Sequence, residues 1–351
     1  MKKTIALAAL VAAAPLAVSA QVTLTAETSG TASPPQYVDA TLAAVLNEAG
    51  VANVQITEGA TLTNSLQAVA ENRLDMSPVP LIIHFLLGRG IGPYAGVGPE
   101  KGAELASGVQ ALFFYASSHH LLGHYNSGSV QGWDSLEGKR IWNGPPRGAA
   151  LTDGRTFIEL VTGLKEGEGY EGVQSEWNEV VGDVTGGAVD AFVAPEGLPS
   201  GRITQMVAAG GMTLYDIPSD ILASDMGKAV MSAPGHSPFS MPVEEYRAFY
   251  DGMDITVVTD DDTFDTWNTA FAESVSASMD EDLAYQITKA FLSSEDRMNS
   301  GAPFAPNLNL SFGDLDGVSQ GACGAVTIKM HPGAIRAFEE AGRTVADCLK
   351  P

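Results

Sequence analysis

Residues 136–151, LEGKRIWNGPPRGAAL, read as a short strand that runs into a Gly/Pro corner and then into a helix. Residues 139–142 carry the strand and Gly144-Pro145-Pro146 cannot continue it. Gly148-Ala149-Ala150 is small enough for a helix start to approach the strand end. Arg147 stands at that corner. The first N–H groups of a helix have no intrahelical acceptor, so a helix start beside a guanidinium favours an anion. The guanidinium stays charged near neutral pH and offers parallel donors that match a carboxylate or a phosphate. The competing reading of Arg147 is a solvated loop residue with no ligand role.

The same plan repeats on both sides of this corner. Residues 22–26 alternate apolar and polar side chains as a half-buried strand does, and Ser29, Gly30 and Thr31 form a turn before a helix opened by Pro34-Pro35. Residues 51–57 are a second strand, and the helix from 61 to 72 gathers Thr61, Thr63 and Asn64 at its start. One such residue suffices as a cap, so the surplus points to a ligand. Residues 74–77 lead to a polar turn at Pro78-Val79-Pro80, and residues 190–194 form a buried strand that ends in the Pro195-Glu196 loop. Alternation of strands and helices predicts an α/β fold with mainly parallel sheets, whose ligands bind beyond the carboxyl ends of strands. Ser29, Gly30, Thr31, Thr61, Thr63, Asn64, Pro78, Asn143, Arg147, Gly148, Ala149, Pro195 and Glu196 all fall in that place. They come from both halves, which predicts two lobes with a ligand cleft between them. The expected boundaries are 21–117 for the first part of lobe I and 118–255 for lobe II. Residues 256–351 form the second part of lobe I with the C-terminal helices, with residues 255–259 as the returning strand. Hinges are expected near 115–121 and 250–257.

Residues 1–20 carry Lys2-Lys3, an apolar run and a small-residue end at Val18-Ser19-Ala20, the pattern of a removable export signal. No later stretch is apolar enough over a sufficient length to span a bilayer, so the exported chain is not expected to be membrane-inserted. The net charge of −23 makes nucleic acid a poor partner. The only two cysteines, Cys323 and Cys348, suggest one disulfide in an oxidising compartment. Gly90-x-Gly92-x-x-Ala95 matches a dinucleotide fingerprint only loosely, and no cofactor is expected. His119, His120 and His124 have no acid or cysteine in metal-ligand spacing and read as residues of a crossover strand, so no metal is expected. Asp260, Asp261, Asp262 and Asp265 lack the Gly and the terminal Glu of a calcium loop. Gly-x-Ser-x-Gly, His-Glu-x-x-His and Walker motifs are absent, so an enzyme is not expected, with a secreted hydrolase as the minor alternative.

Several pieces in order along the chain carry a family likeness. They are Thr28-Ser-Gly-Thr31 with Tyr37, Glu58-Gly-Ala-Thr-Leu-Thr-Asn64, Asp134-Ser-Leu-Glu-Gly-Lys-Arg140, Val189-Asp-Ala-Phe192 with Gly197-Leu-Pro199, Leu283-Ala-Tyr-Gln-Ile-Thr-Lys289 and His331-Pro-Gly-Ala-Ile335. Together the chain resembles the TAXI-type solute-binding proteins of TRAP transporters. The resemblance implies a two-lobed periplasmic-binding-protein fold of type II-like form in the periplasm. It also implies a small organic acid or acidic amino acid as ligand and a TRAP membrane permease as partner. It places ligand contacts on the Ser29 turn, the Asn64 helix start and residues 143–149. That last loop departs from the family's small Gly/Ser residues by carrying Pro145-Pro146-Arg147, which favours a carboxylate held by Arg147. An amino acid or uncharged ligand, with Arg147 turned to Glu196 or another acid, is the alternative.

Overall fold

The computed structural model describes residues 21–31, 33–311 and 328–351. The expected export signal lies outside these residues, as does Cys323, one partner of the expected disulfide. The chain opens with β1 (Val22–Glu27), α1 (Pro34–Glu48), β2 (Ala52–Thr57), α2 (Leu62–Ala70), β3 (Met76–Pro80), α3 (Leu81–Arg89) and α4 (Pro99–Ser107). It then enters the long strand β4 (Val109–Tyr125). The next segment contains β5 (Arg140–Gly144), α5 (Ala149–Thr162), β6 (Glu171–Gln174), α6 (Val180–Thr185), β7 (Ala191–Glu196), α7 (Gly201–Val207) and β8 (Met212–Tyr215). It continues through α8 (Ser219–Ala223), α9 (Asp225–Met231), β9 (His236–Pro242), α10 (Val243–Ala248) and β10 (Ile255–Val258). A second long strand, β11 (Thr263–Ser276), leads back to α11 (Glu281–Leu292), α12 (Glu295–Ser300), β12 (Asn309–Ser311), β13 (Lys329–Met330) and α13 (Pro332–Glu340).

The main path of the sheet runs β2-β1-β3-β11-β4-β7-β5-β6. Strands β1, β2 and β3 are parallel, as are β5, β6 and β7, while β4 and β11 lie antiparallel to each other and to β7 and β3 respectively. Two parallel α/β units are therefore joined by an antiparallel pair that belongs to both. One hydrophobic cluster, built on Leu42, Leu66, Leu112, Phe113 and Phe291, fills the first lobe. The second lobe has two. Trp142, Phe192 and Ala194 feed one cluster, whereas Ile141, Ala191 and Val193 feed the other. Successive residues of β5 and β7 thus point to opposite faces, and burial of both faces makes these strands read as continuous apolar runs.

Two expectations are corrected here. Residues 255–258 do not return to the first lobe, because β10 pairs in parallel with β8 and Val257 packs into a second-lobe cluster. The return runs along β11, where Phe264 and Trp267 belong to the second lobe and Ala270 and Phe271 to the first. Pro78 is not in a turn either: it is a buried residue of β3 opposite Glu273 of β11. Pairing of β1 with β3 stops at Met76, so prolines at 78 and 80 remove no donor that β1 requires.

Candidate functional site

The corner after β5 is shaped by close backbone approach. Gly144 has φ +136°, and a Cβ there would fall 2.6 Å from the Leu151 nitrogen, while one on Gly154 would fall 2.2 Å from the Asn143 carbonyl oxygen. Glycine at both positions lets α5 lie directly on the end of β5. Gly148, at φ +111°, is the N-cap of α5 and provides no side chain to cap it. Across the gap stands α2, whose N-cap Thr61 also makes no side-chain cap bond. A Cβ on Gly148 would lie 3.1 Å from Thr63 Oγ1, so the two helix starts meet. Tyr94, buried, donates to the Thr63 carbonyl at 2.6 Å and holds that end of α2 in place.

Between these helix starts is a cleft of about 100 Å³ shared by both lobes. An apolar cavity of about 150 Å³ takes a benzene ring, so the cleft as it stands suits a ligand of a few heavy atoms. Its first wall comprises Ser29, Gly30, Ser33, Thr61, Thr63 and Pro80, and its second Arg147, Gly148, Ala149, Trp177, Pro195 and Arg202. Ser118, Thr269 and Phe271 form its floor on the two long strands. Ser118 takes φ +65°, and the register of β11 against β4 shifts between Asn268 and Thr269. Both long strands therefore break regularity where they pass from one lobe to the other. The lobes touch: a Cβ on Gly30 would sit 3.7 Å from Trp177 Cβ, and Asn307 Nδ2 donates to the Leu198 carbonyl at 2.7 Å.

The two cleft guanidiniums differ. Among the described residues Arg147 makes no hydrogen bond or ion pair, and it is exposed. Arg202 donates through Nε to Glu196 at 3.0 Å and through a terminal nitrogen to the Pro195 carbonyl at 3.0 Å, and it lies 4.7 Å over the Trp177 ring. Glu196, buried, also accepts from Ser200 Oγ at 2.6 Å.

Of the residues expected at the site, Ser29, Gly30, Thr61, Thr63, Arg147, Gly148, Ala149 and Pro195 line the cleft. The others do not. Asn143 points away from it, donating to Glu166 at 2.8 Å and to Tyr170 at 3.0 Å and accepting from Gln174 at 2.8 Å. Arg155 is the first cause of the lowered Glu166 carboxyl, so Asn143 is fastened to a settled ion pair that braces β5 against β6. Thr31 donates to Glu58 at 2.8 Å, Asn64 is exposed outside the cleft, and Pro78 is buried one residue pair away from the cleft-lining Pro80. Glu196 is held by Arg202, so the alternative of Arg147 turned to Glu196 is not realised. Trp177, Arg202, Ser118, Thr269 and Phe271 were not expected. Arg202 follows the marked Pro195 loop at the first turn of α7, and that position was the available signal.

Behind the second wall lies a layer of buried histidines. His120 and His236 face Asp153 of α5 at 3.7 and 3.4 Å, and both rings lie against Trp267. His119 bonds to Tyr246 Oη at 2.6 Å, and His124 to the Tyr125 carbonyl at 3.0 Å. Burial pulls His119 down to about 3 and His120 down to about 4, the latter against the attraction of Asp153. Among the described residues no group of three or more His, Cys, Asp or Glu is placed to hold a metal ion, and no helix is long and apolar enough to cross a membrane.

The profile of the NMT1-like family matches residues 24–342. Among solved structures, the chain is similar to a TRAP periplasmic solute-binding protein from Shewanella oneidensis with bound succinate, at 10% identity over 82% of each chain and a TM-score of 0.48. It is also similar to one from Ralstonia eutropha with bound (S)-2-acetolactate, at 13% identity over 91% of this chain and 90% of that one, TM-score 0.45. A third, from Sulfitobacter with bound β-D-galacturonate, has 10% identity over 78% of this chain and 80% of that one, TM-score 0.45.

Proposed function

The chain belongs to the NMT1-like family, and from that premise we propose that it is the solute-binding component of a TAXI-type TRAP transporter. It captures a small carboxylate in the periplasm and delivers it to a membrane permease. One observation carries the reading: the starts of α2 and α5 face each other across the cleft with no side-chain cap on either, and Arg147 stands at the corner unpaired among the described residues. Two positive helix ends and a free guanidinium in one small space favour an anion. Arg147 is the bidentate partner of the carboxylate, and Ser29, Thr61 and Thr63 supply neutral donors. Lobe I comprises about residues 21–117 and 270–351 and lobe II about residues 118–269, with hinges at Ser118 and at Asn268-Thr269. Closure about them expels water and strengthens the Arg147 contact.

A thermal-shift panel of mono-, di- and tricarboxylates, amino acids and sugars tests this reading, since a ligand that binds the native state raises the unfolding midpoint. A rise confined to carboxylates supports it. A rise with sugars alone sinks the carboxylate assignment.

A further inference from the structure

The lining of the cleft also decides which carboxylate it takes, an inference that rests on the anion reading above. Among the described residues its charged side chains are Arg147 and Arg202, and no Asp, Glu, Lys or His lines it. Of the two guanidiniums only Arg147 is free for a ligand. Arg202 is held by Glu196 and by the Pro195 carbonyl, and it covers the Trp177 ring. Glu196 in turn has both carboxylate oxygens engaged, one by Arg202 Nε at 3.0 Å and the other by Ser200 Oγ at 2.6 Å. The cleft therefore offers one uncompensated positive side chain and no negative one.

Much of the remaining lining is apolar, and part of it is continuous. Phe271 of β11 stands opposite Pro80 of β3 in the strand register, and Pro80 is the N-cap of α3, whose first turn brings in Ile83. Phe271 and Ile83 are buried, and Tyr115 stacks on the Phe271 ring at 5.2 Å and holds it in place. Pro145, Ala149, Ala150 and Trp177 add apolar surface on the second wall. The uncharged polar side chains of the lining are Ser and Thr hydroxyls.

A second carboxylate on the ligand would find no free cation here. An ammonium would find no free acid, and it would sit in the field of two guanidiniums and two helix starts. Hydroxyls return less than the cost of burying either ion without an opposite charge. Methylene groups, by contrast, gain from leaving water for the patch of Pro80, Ile83 and Phe271. We propose that the ligand is a monocarboxylate with a short, uncharged, apolar body, its carboxylate on Arg147 and its body against that patch. Dicarboxylates and amino acids are rejected by the charges the cleft lacks.

The test is a calorimetric titration of the exhaustively dialysed full chain with acetate, butanoate, succinate, 2-aminobutanoate and butan-1-ol. Butanoate should bind about tenfold more tightly than acetate, because it buries two more methylenes. It should also bind at least about tenfold more tightly than succinate or 2-aminobutanoate, which add one unpaired charge to the same four carbons. Ile83→Thr keeps the branched shape and puts a hydroxyl in the patch, so butanoate should weaken about fivefold while acetate is unchanged. Glu196→Gln releases Arg202 and should narrow the deficit of succinate. If succinate or 2-aminobutanoate binds as tightly as butanoate, the proposal is overturned while the carboxylate reading stands. If butan-1-ol binds as tightly as butanoate, the carboxylate reading itself fails and takes the proposal with it. No binding of butanoate overturns the proposal whatever else binds.

Discussion

The two walls of the cleft offer a ligand different things. The first presents hydroxyls and a helix start with no charged side chain, and it is backed by buried acids. The second presents two guanidiniums and an indole, and it is backed by buried histidines. Charged side chains are thus concentrated on one lobe, and neutral hydrogen-bonding groups on the other. Within the second wall the two arginines differ again, because Arg202 is spent on Glu196 and Arg147 is not.

The contrast breaks first at Arg147. Arg147→Ala should weaken carboxylate binding by about 2 to 5 kcal/mol when titrated calorimetrically, because a desolvated charge loses its partner. Its unfolding free energy should barely change, since the side chain is exposed and makes no hydrogen bond or ion pair among the described residues. A variant that binds within a factor of about two of wild type assigns the anion contact elsewhere.

Arg202→Met should do the reverse. It leaves Glu196 buried and unpaired, so denaturant unfolding should show a loss of about 3 kcal/mol. If stability holds while binding collapses, Arg202 rather than Arg147 is the free cation of the site.

A third measurement sharpens what stands behind the second wall. The folded pKa values of His119 and His120, about 3 and about 4, lie below the unfolded value near 6.5. Their contribution is complete above pH 6.5 and is lost as pH falls from there toward 4, by up to about 1.4 kcal/mol per pH unit for each. Asp39 and Glu273 behind the first wall, and Asp216 after β8, are raised by burial and act in the opposite sense, so the comparison is made against His120→Gln, which should flatten the wild-type slope. An unchanged slope places the acid sensitivity at groups other than His120.

The smallest effect is expected on the first wall. Thr63→Val removes one neutral donor and should cost about 1 kcal/mol of binding. A loss as large as that of Arg147→Ala would erase the division of labour between the walls.

Much of this arrangement is legible in residues 136–151, because Gly144, Pro145-Pro146 and Gly148 permit few conformations other than a strand end folding into a helix start. The chain's return path is not legible. β11, TFDTWNTAFAESVS, carries Asn268, Thr269, Glu273 and Ser274 in its buried stretch, and no apolar alternation marks it as a central strand. Its polar residues are buried because β3, β4 and β9 pair with it, and those partners are distant in sequence. Asn143 and Glu196 misled for a related reason. An amide or a carboxylate at a strand end serves a ligand or an internal brace equally well, and only the positions of Glu166, Tyr170 and Arg202 decide between them. Thr31 was read from its turn alone, and its partner Glu58 arrives from the next loop.

The shared strands β4 and β11 also bear on how the molecule is made. The first lobe's sheet needs β11 between β3 and β4, yet β11 is synthesised only after the whole second lobe. The first lobe cannot be finished before the second has been translated, so the order of assembly is set by a late, long-range strand insertion. A nascent chain halted before β11 exposes the open edges of both β3 and β4, the state most open to capture by a chaperone or to aggregation.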